Sequence, residues 1–329
     1  MDSITQVALG AAVGEAVGGR TSGKKAMGYG ALAGLLPDLD ILMGPFFHPT
    51  EQLLVHRGIS HSLIFAVALC PVFARGVKKM HRGDPGSFLR WMTLFFLSLV
   101  THSLLDIMTI YGTGFLEPFH PARLSTGVIS IVDPLYSLPL VCTLIAALVA
   151  YRKKWAHRLV IIGLVASHLY LAGAGAAKLF IGRHFDAELA KAGINHSEVM
   201  TSPAFFNTIL WYGVARGPDG IWLGYHSFLD KDSTIQFQFF PRNDKLEKRV
   251  DAKVLSRLKT FSKGWHVMSE KEGRIYFHDM RFGALDETTP VFSYDFKAPD
   301  KRPFATGGDS VDIGAYFRRV LGEKPLVSQ

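Results

Sequence analysis

FLRWMTLFFLSLVTHSLLDI, residues 88 to 107, decides how this chain is read. A helix needs roughly 20 mostly apolar residues to cross a bilayer core of about 30 Å, and this run supplies them. Its ionisable residues are Arg90 near the start and His102 and Asp106 near the end. His102 and Asp106 stand one helical turn apart, so they share a face and can point at one ion. Ionisable groups are costly at membrane depth and default to a functional role, which makes this a membrane helix with chemistry at one end.

Outward from that run, Leu135 to Tyr151 and Leu159 to Ile181 are further candidate spans, and Leu63 to Val77 is a shorter one. Met27 to Phe47 is unusual in carrying Pro37, Asp38 and Asp40 near its end. Ile4 to Gly18 is rich in small residues and reads as a span, a re-entrant helix or a close-packed interfacial helix. After Gly182 the apolar runs stop and charges are spread throughout. The expected fold is therefore an α-helical polytopic membrane domain over residues 1–182, with four to six helices, followed by a small α+β soluble domain over residues 183–329. In the second part the strand-like stretches are Trp211 to Ala215, Ile221 to Phe228, Ile235 to Phe240, Arg274 to Met280 and Val291 to Phe296. Asp244 to Phe261 reads as a charged helix, and turn signals such as Gly217-Pro218-Asp219-Gly220 separate the elements.

The net charge of +8 is not that of a nucleic-acid-binding surface. Arg20, Lys24 and Lys25 form one basic cluster, Arg75, Lys78, Lys79, Arg82 and Arg90 a second, and Arg152, Lys153, Lys154 and Arg158 a third. Each flanks an apolar run, as topology signals do. With all three clusters in the cytoplasm, the spans alternate without exception and the C-terminal domain lies outside. Cys70 and Cys142 fall inside apolar runs and read as small core residues rather than a disulfide. Asp2 and Glu15 in the first apolar stretch argue against a cleavable secretory signal.

That topology brings the ionisable groups to one face. Asp38 and Asp40 end the second segment, His56, Arg57 and His61 precede the third, His102 and Asp106 end the fourth, and Asp133 precedes Pro134 at the start of the fifth. Singly each has a bland reading: Asp40 and Asp133 as helix caps, His56 or His102 as satisfied core histidines, Arg57 as a headgroup-level surface arginine. Together they read as ligands of a divalent metal, with Asp38, His56, His61, His102 and Asp106 binding it. Imidazole and carboxylate donors without thiolates suit Zn, Mn or Fe. Metal-activated water makes hydrolysis the economical chemistry. Asp40 and Asp133 are then candidates for proton transfer, and the planar guanidinium of Arg57 for holding a phosphate or oxyanion. Asp2, Thr5 and Gln6 form a further polar set that ordinary capping also explains.

As an ordered set, Asp2-Ser3-Ile4-Thr5-Gln6, Leu36-Pro37-Asp38-Leu39-Asp40, His56-Arg57-Gly58-Ile59-Ser60-His61-Ser62, His102-Ser103-Leu104-Leu105-Asp106 and Asp133-Pro134 resemble the YdjM-like family over about residues 1–180. The resemblance implies an inner-membrane, metal-dependent hydrolase of bacteria or archaea, some members of the family being linked to the SOS response. Similarity of that family to zinc-dependent phospholipase C enzymes implies a membrane lipid or lipid-linked phosphoester as substrate. Two other classes fit the same residues. A metal or proton transporter would place polar groups at mid-membrane and on both faces, whereas here they collect on one. A non-catalytic anchor would use the soluble domain to bind a partner and the His and Asp residues only for folding.

Overall fold

A computed structural model describes residues 1–151, 153, 155–284, 289–298 and 313–323. Arg152 and Lys154 of the third basic cluster lie outside the described residues. Two compact units are present, Met1–Pro45 with Val55–Ala174, and Phe46–Leu54 with Gly175–Gln329.

The first unit is helical. Asp2 caps α1 (Ser3–Ser22) by accepting the Thr5 N–H at 2.9 Å. Gly23, with φ of +61°, turns the chain into α2 (Lys24–Leu35). The two helices touch backbone to backbone: a Cβ on Gly10 would lie 2.2 Å from the Gly30 carbonyl oxygen, and one on Gly34 would lie 2.4 Å from that of Gln6. The small-residue stripe noted in the sequence is thus the seam of a helical hairpin. Pro37 has no N–H to continue the helical ladder, so α2 ends at Leu35 although Leu36 keeps αR geometry, and a 3-10 segment, Pro37–Phe46, follows. The continuous Met27 to Phe47 segment expected from the sequence is therefore broken, with a bend of 40°.

After α3 (Pro49–Val55) and a 3-10 turn, Ile59–His61, come α4 (Leu63–Met80) and α5 (Phe88–Ile107). Next are α6 (Pro134–Val149) and the 37-residue α7 (Trp155–Lys191). Of the described helices, α5 and α7 are long and apolar enough to cross a membrane; counting each bent pair as one span raises the number to four. Leu9 and Val13 of α1 pack with Tyr136, Leu140 and Leu144 of α6. Ala26 and Ala33 of α2 pack with Cys70, Ala74, Trp91 and Leu94 of α4 and α5. Cys70 is buried as expected, but Cys142 is exposed, on a helix whose outward face is apolar through Leu138 and Ile145.

The turns after α1 and α4 meet, and Tyr151 lies beside them. Ser22 donates to Asp84 at 2.8 Å, Arg90 to Thr21 at 2.5 Å, and Lys78 to the Gly86 carbonyl at 2.9 Å. The Lys24 ammonium lies 4.8 Å from the centre of the Tyr151 ring, joining the turn after α6 to the same end. Among the described residues, the turns that carry the first two basic clusters thus meet at one end of this unit, with Tyr151 beside them.

The second unit holds two antiparallel sheets, in strand orders β1-β2-β3-β4 and β5-β6-β7. They are β1 (Glu198–Pro203), β2 (Leu210–Arg216), β3 (Gly220–Ser227), β4 (Phe237–Pro241), β5 (His266–Lys271), β6 (Arg274–Ala284) and β7 (Pro290–Asp295). Tyr212, Val214 and Leu223 of the first sheet pack on Val267 and Met280 of the second, and the Tyr212 hydroxyl donates to the Arg281 carbonyl at 2.6 Å. Strands β1 and β5 have no counterpart among the stretches read from sequence. The charged helix begins later than expected: a 3-10 turn, Asp244–Arg249, precedes α8 (Ala252–Ser262), which Asp251 caps afresh through Val254 N–H at 2.8 Å. Glu51 is paired with Arg257 of α8, holding α3 against it. A short helix, α9 (Ile313–Val320), is the last element among the described residues.

Candidate metal centre

At the end of the first unit opposite the basic turns, four side chains converge. His102 and Asp106 come from the last two turns of α5, on one face and buried. Asp38 is set by the Pro37 break immediately after α2. His61 closes the 3-10 turn before α4, whose first turn Ser62 caps through Phe65 N–H at 3.2 Å. The donor atoms of these four residues all lie within 4.8 Å of one another. His61 Nε2 is 3.1 Å from His102 Nε2, 3.4 Å from Asp38 Oδ1 and 3.3 Å from Asp106 Oδ2. His102 Nε2 is 3.6 Å from Asp38 Oδ1 and 3.7 Å from Asp106 Oδ2. Zinc bonds of about 2.0–2.2 Å in a tetrahedron separate neighbouring ligand atoms by about 3.4 Å. These five spacings match that edge.

The hydrogen bonds around the histidines fix which nitrogen is free. His102 Nδ1 lies 2.6 Å from the Gly34 carbonyl, which can only accept, so Nδ1 carries the proton. Ser60 donates its hydroxyl hydrogen to Asp40 at 2.6 Å and therefore accepts from His61 Nδ1 at 2.9 Å. In their neutral forms both imidazoles then present Nε2 lone pairs to the same point, beside two carboxylate oxygens. Without a cation or an added proton that arrangement is repulsive; a divalent ion resolves it. Among the described residues the buried Asp106 Oδ2 also accepts no hydrogen bond, since Arg57 Nε, 3.1 Å away, is off line. The donor set fits a metal.

Around the four stands a supporting layer. Asp40 accepts from His56 Nδ1 at 2.7 Å and from the Arg57 N–H at 3.0 Å, and lies 3.4 Å from His61 Nδ1. A carboxylate behind a ligating histidine orients the ring and raises its basicity. Asp106 Oδ1 takes the Gln6 amide at 3.1 Å and the Met1 amine. Arg57 is buried, donates to Thr109 at 3.0 Å, and lies over the Tyr111 ring at 4.7 Å. Its φ of +61° is unusual for a bulky residue, a feature that concentrates at functional sites.

Two candidates lie apart from the donors. His56, read from sequence among the ligands, is outside the four-residue group and bound to Asp40. Asp133 caps α6 through Leu135 N–H at 3.0 Å and accepts the Tyr170 hydroxyl at 2.9 Å, the capping alternative raised by its place before Pro134. Conversely, Gln6, Ser60, Thr109 and the Gly34 carbonyl help build the site although no ligand spacing marked them. In the sequence Gln6 stands in a polar set that capping explains, and its place four residues before Gly10 on the small-residue face is the signal that marks it.

The family described as YdjM inner membrane protein matches residues 1–181. Inner membrane protein YbcI of Escherichia coli (strain K12) is 30% identical over 125 residues, which cover 36% of this chain and 69% of that protein. No solved structure matches the chain. Every donor of the four-residue group falls in the family-matched part, and most of the sheet-containing unit lies beyond it.

Proposed function

Since this chain belongs to the YdjM inner membrane protein family, we propose that its membrane half is a metal-dependent hydrolase whose site faces the outside of the inner membrane and acts on a lipid or lipid-linked phosphoester. The observation that carries this reading is the convergence of Asp38, His61, His102 and Asp106 donors within 4.8 Å. A divalent ion held there, Zn, Mn or Fe, supplies Lewis acidity that polarises the ester and lowers the pKa of water. The chain's own residues do the rest. Asp40 and the Gly34 carbonyl keep protons on the Nδ1 atoms of His61 and His102, leaving Nε2 for the ion. Gln6 and Arg57 hold Asp106 in place. Asp38 is the member open to the surface, its side chain 11% exposed against 1% or less for the other three. Substrate therefore approaches past Asp38, whose Oδ2 accepts the Ser3 hydroxyl at 3.3 Å and is placed to take a proton from attacking water. Leu39, Ile41, Leu42 and Met43 follow it in an exposed apolar stretch that suits acyl or prenyl chains.

A second reading is favoured by the number of donors. Four protein ligands fill a tetrahedron, the arrangement of structural ions, and leave water no position unless coordination expands. One experiment separates the two. Detergent-purified protein is assayed for bound metal and for hydrolysis of phospholipids and polyprenyl phosphates, beside a His61→Ala, His102→Ala double variant. Near-stoichiometric metal and hydrolysis, both lost in the variant, are expected. Metal without hydrolysis supports a structural ion, and absence of metal from both proteins after reconstitution rejects the centre altogether.

A further inference from the structure

The second unit carries an apolar rim that neither of its sheets explains. In α9, Ile313 and Phe317 are exposed one turn apart, with exposed Leu321 just past its end, while Arg319 and Val320 of its last turn are buried. Arg319 is anchored to Asp230 at 2.6 Å, and the Val320 carbonyl accepts from Ser227 at 2.6 Å, so the last turn of α9 is tied to the domain while Ile313 and Phe317 stay exposed. Gly322 abuts the Leu229 carbonyl so closely that a Cβ would lie 2.2 Å from it, which puts Leu229 and Phe228 beside the end of the stripe. The Phe228 ring in turn stacks on Phe180 of α7, centroids 5.9 Å apart. On the other side the Tyr316 hydroxyl bonds the Phe205 carbonyl, next to Phe206, which stands at φ +64° with its ring half out in solvent. A bulky residue at positive φ is strained, and such strain gathers at functional surfaces. The large apolar side chains of this rim are 43% to 65% exposed.

Helix α7 says what covers them. Leu159 to Ala177 contains no Asp, Glu, Lys or Arg and, at about 1.5 Å per residue, spans about 29 Å, the thickness of a bilayer core. Lys178 ends this stretch, its ammonium bonded to the Thr201 carbonyl at 2.5 Å. Phe180 therefore emerges at headgroup level, with Phe228 stacked on it. We propose that this rim is a membrane-docking surface: α9, Phe206 and Phe228 insert into the headgroup region of the leaflet from which α7 emerges.

The test uses the full chain with Cys70 and Cys142 replaced, reconstituted into vesicles of phosphatidylethanolamine and phosphatidylglycerol. Single cysteines carrying a spin label replace Phe206, Phe228 or Phe317, and Lys245, exposed elsewhere on the unit, serves as control. Collisions with dissolved oxygen, which concentrates in lipid, are compared with those of a water-soluble nickel chelate. Oxygen collisions dominating at 206, 228 and 317, with nickel dominating at 245, is the expected result. Nickel dominating at 206 and 317 as at 245 overturns the proposal. So does spin–spin broadening at 317 that vanishes on dilution with unlabelled protein, since it assigns the rim to a second copy of the chain.

Discussion

His102 has one neutral tautomer open to it, because the Gly34 carbonyl 2.6 Å from Nδ1 cannot donate. His61 is held the same way only through Ser60 and Asp40, so its tautomer depends on a carboxylate that need not touch an ion. Asp40→Asn is expected to weaken metal binding about 10- to 100-fold, the usual cost of losing a partner behind a ligating histidine. Competition with a chelator measures it, and unchanged affinity would show that Asp40 does not act through His61. Asp133 makes the contrasting case. Asp133→Ala removes the α6 cap and should cost about 1 kcal/mol of stability while metal content stays at the parent level; loss of metal would place Asp133 in the site. The donors were legible in the sequence because His and Asp are conspicuous in apolar surroundings. Their supports were not, since Gly34 acts through its backbone and Gln6 through an uncharged amide, and neither leaves a ligand pattern.

At the scale of elements, the α1–α2 hairpin sets where Gln6 and the Gly34 carbonyl meet α5. Gly30→Ala would drive a Cβ to 2.2 Å from the Gly10 carbonyl, so the helices must separate. Gly28 lies in the same helix with nothing within 4 Å of a Cβ, and there Ala should be neutral or stabilise by up to about 1 kcal/mol. The expected pair of outcomes is a lower melting temperature and depleted metal for Gly30→Ala, and parent values for Gly28→Ala. Equal behaviour of the two would remove the seam from the account of the site. The membrane helices were legible from long apolar runs, whereas β1 and β5 were not. Glu198–Pro203 and His266–Lys271 lack alternating apolar residues, and they become strands by pairing with β2 and β6, which tertiary context supplies. Strand β6 also carries a pH response. Burial pushes His278 down to about 4, and its ring is held between the Ser269 and Ser293 hydroxyls, each at 2.7 Å. The folded value lies below the unfolded one of about 6.5, so the unfolded chain takes up the proton first. Stability is then full above about pH 6.5 and falls as the pH drops toward 4, by on the order of 3 kcal/mol. Hydrogen exchange of β6 in the full chain should quicken between pH 7 and pH 5 beyond its intrinsic chemistry, and His278→Gln should flatten that difference.

For the whole molecule the decisive quantity is orientation. In the first unit the basic turns at Ser22, Asp84 and Tyr151 meet at one end, and Asp38, His61, His102 and Asp106 meet at the other. Lysine and arginine near the ends of spans favour the cytoplasm, so the donors should face outward, and α7, leaving its own basic start, should deliver the C-terminal domain to that same side. Because each span links one to the next, an inverted chain would invert all of these positions together. A cysteine-free parent given a single cysteine at Gly83, in the basic turn between α4 and α5, or at Lys271, at the end of β5, tests it in intact spheroplasts with a membrane-impermeant maleimide. Position 271 should label at once and position 83 only after lysis. The reverse pattern would put the metal centre in the cytoplasm and exclude outer-leaflet lipids as its substrate, and labelling of both from outside would mean that the number of crossings between them is even.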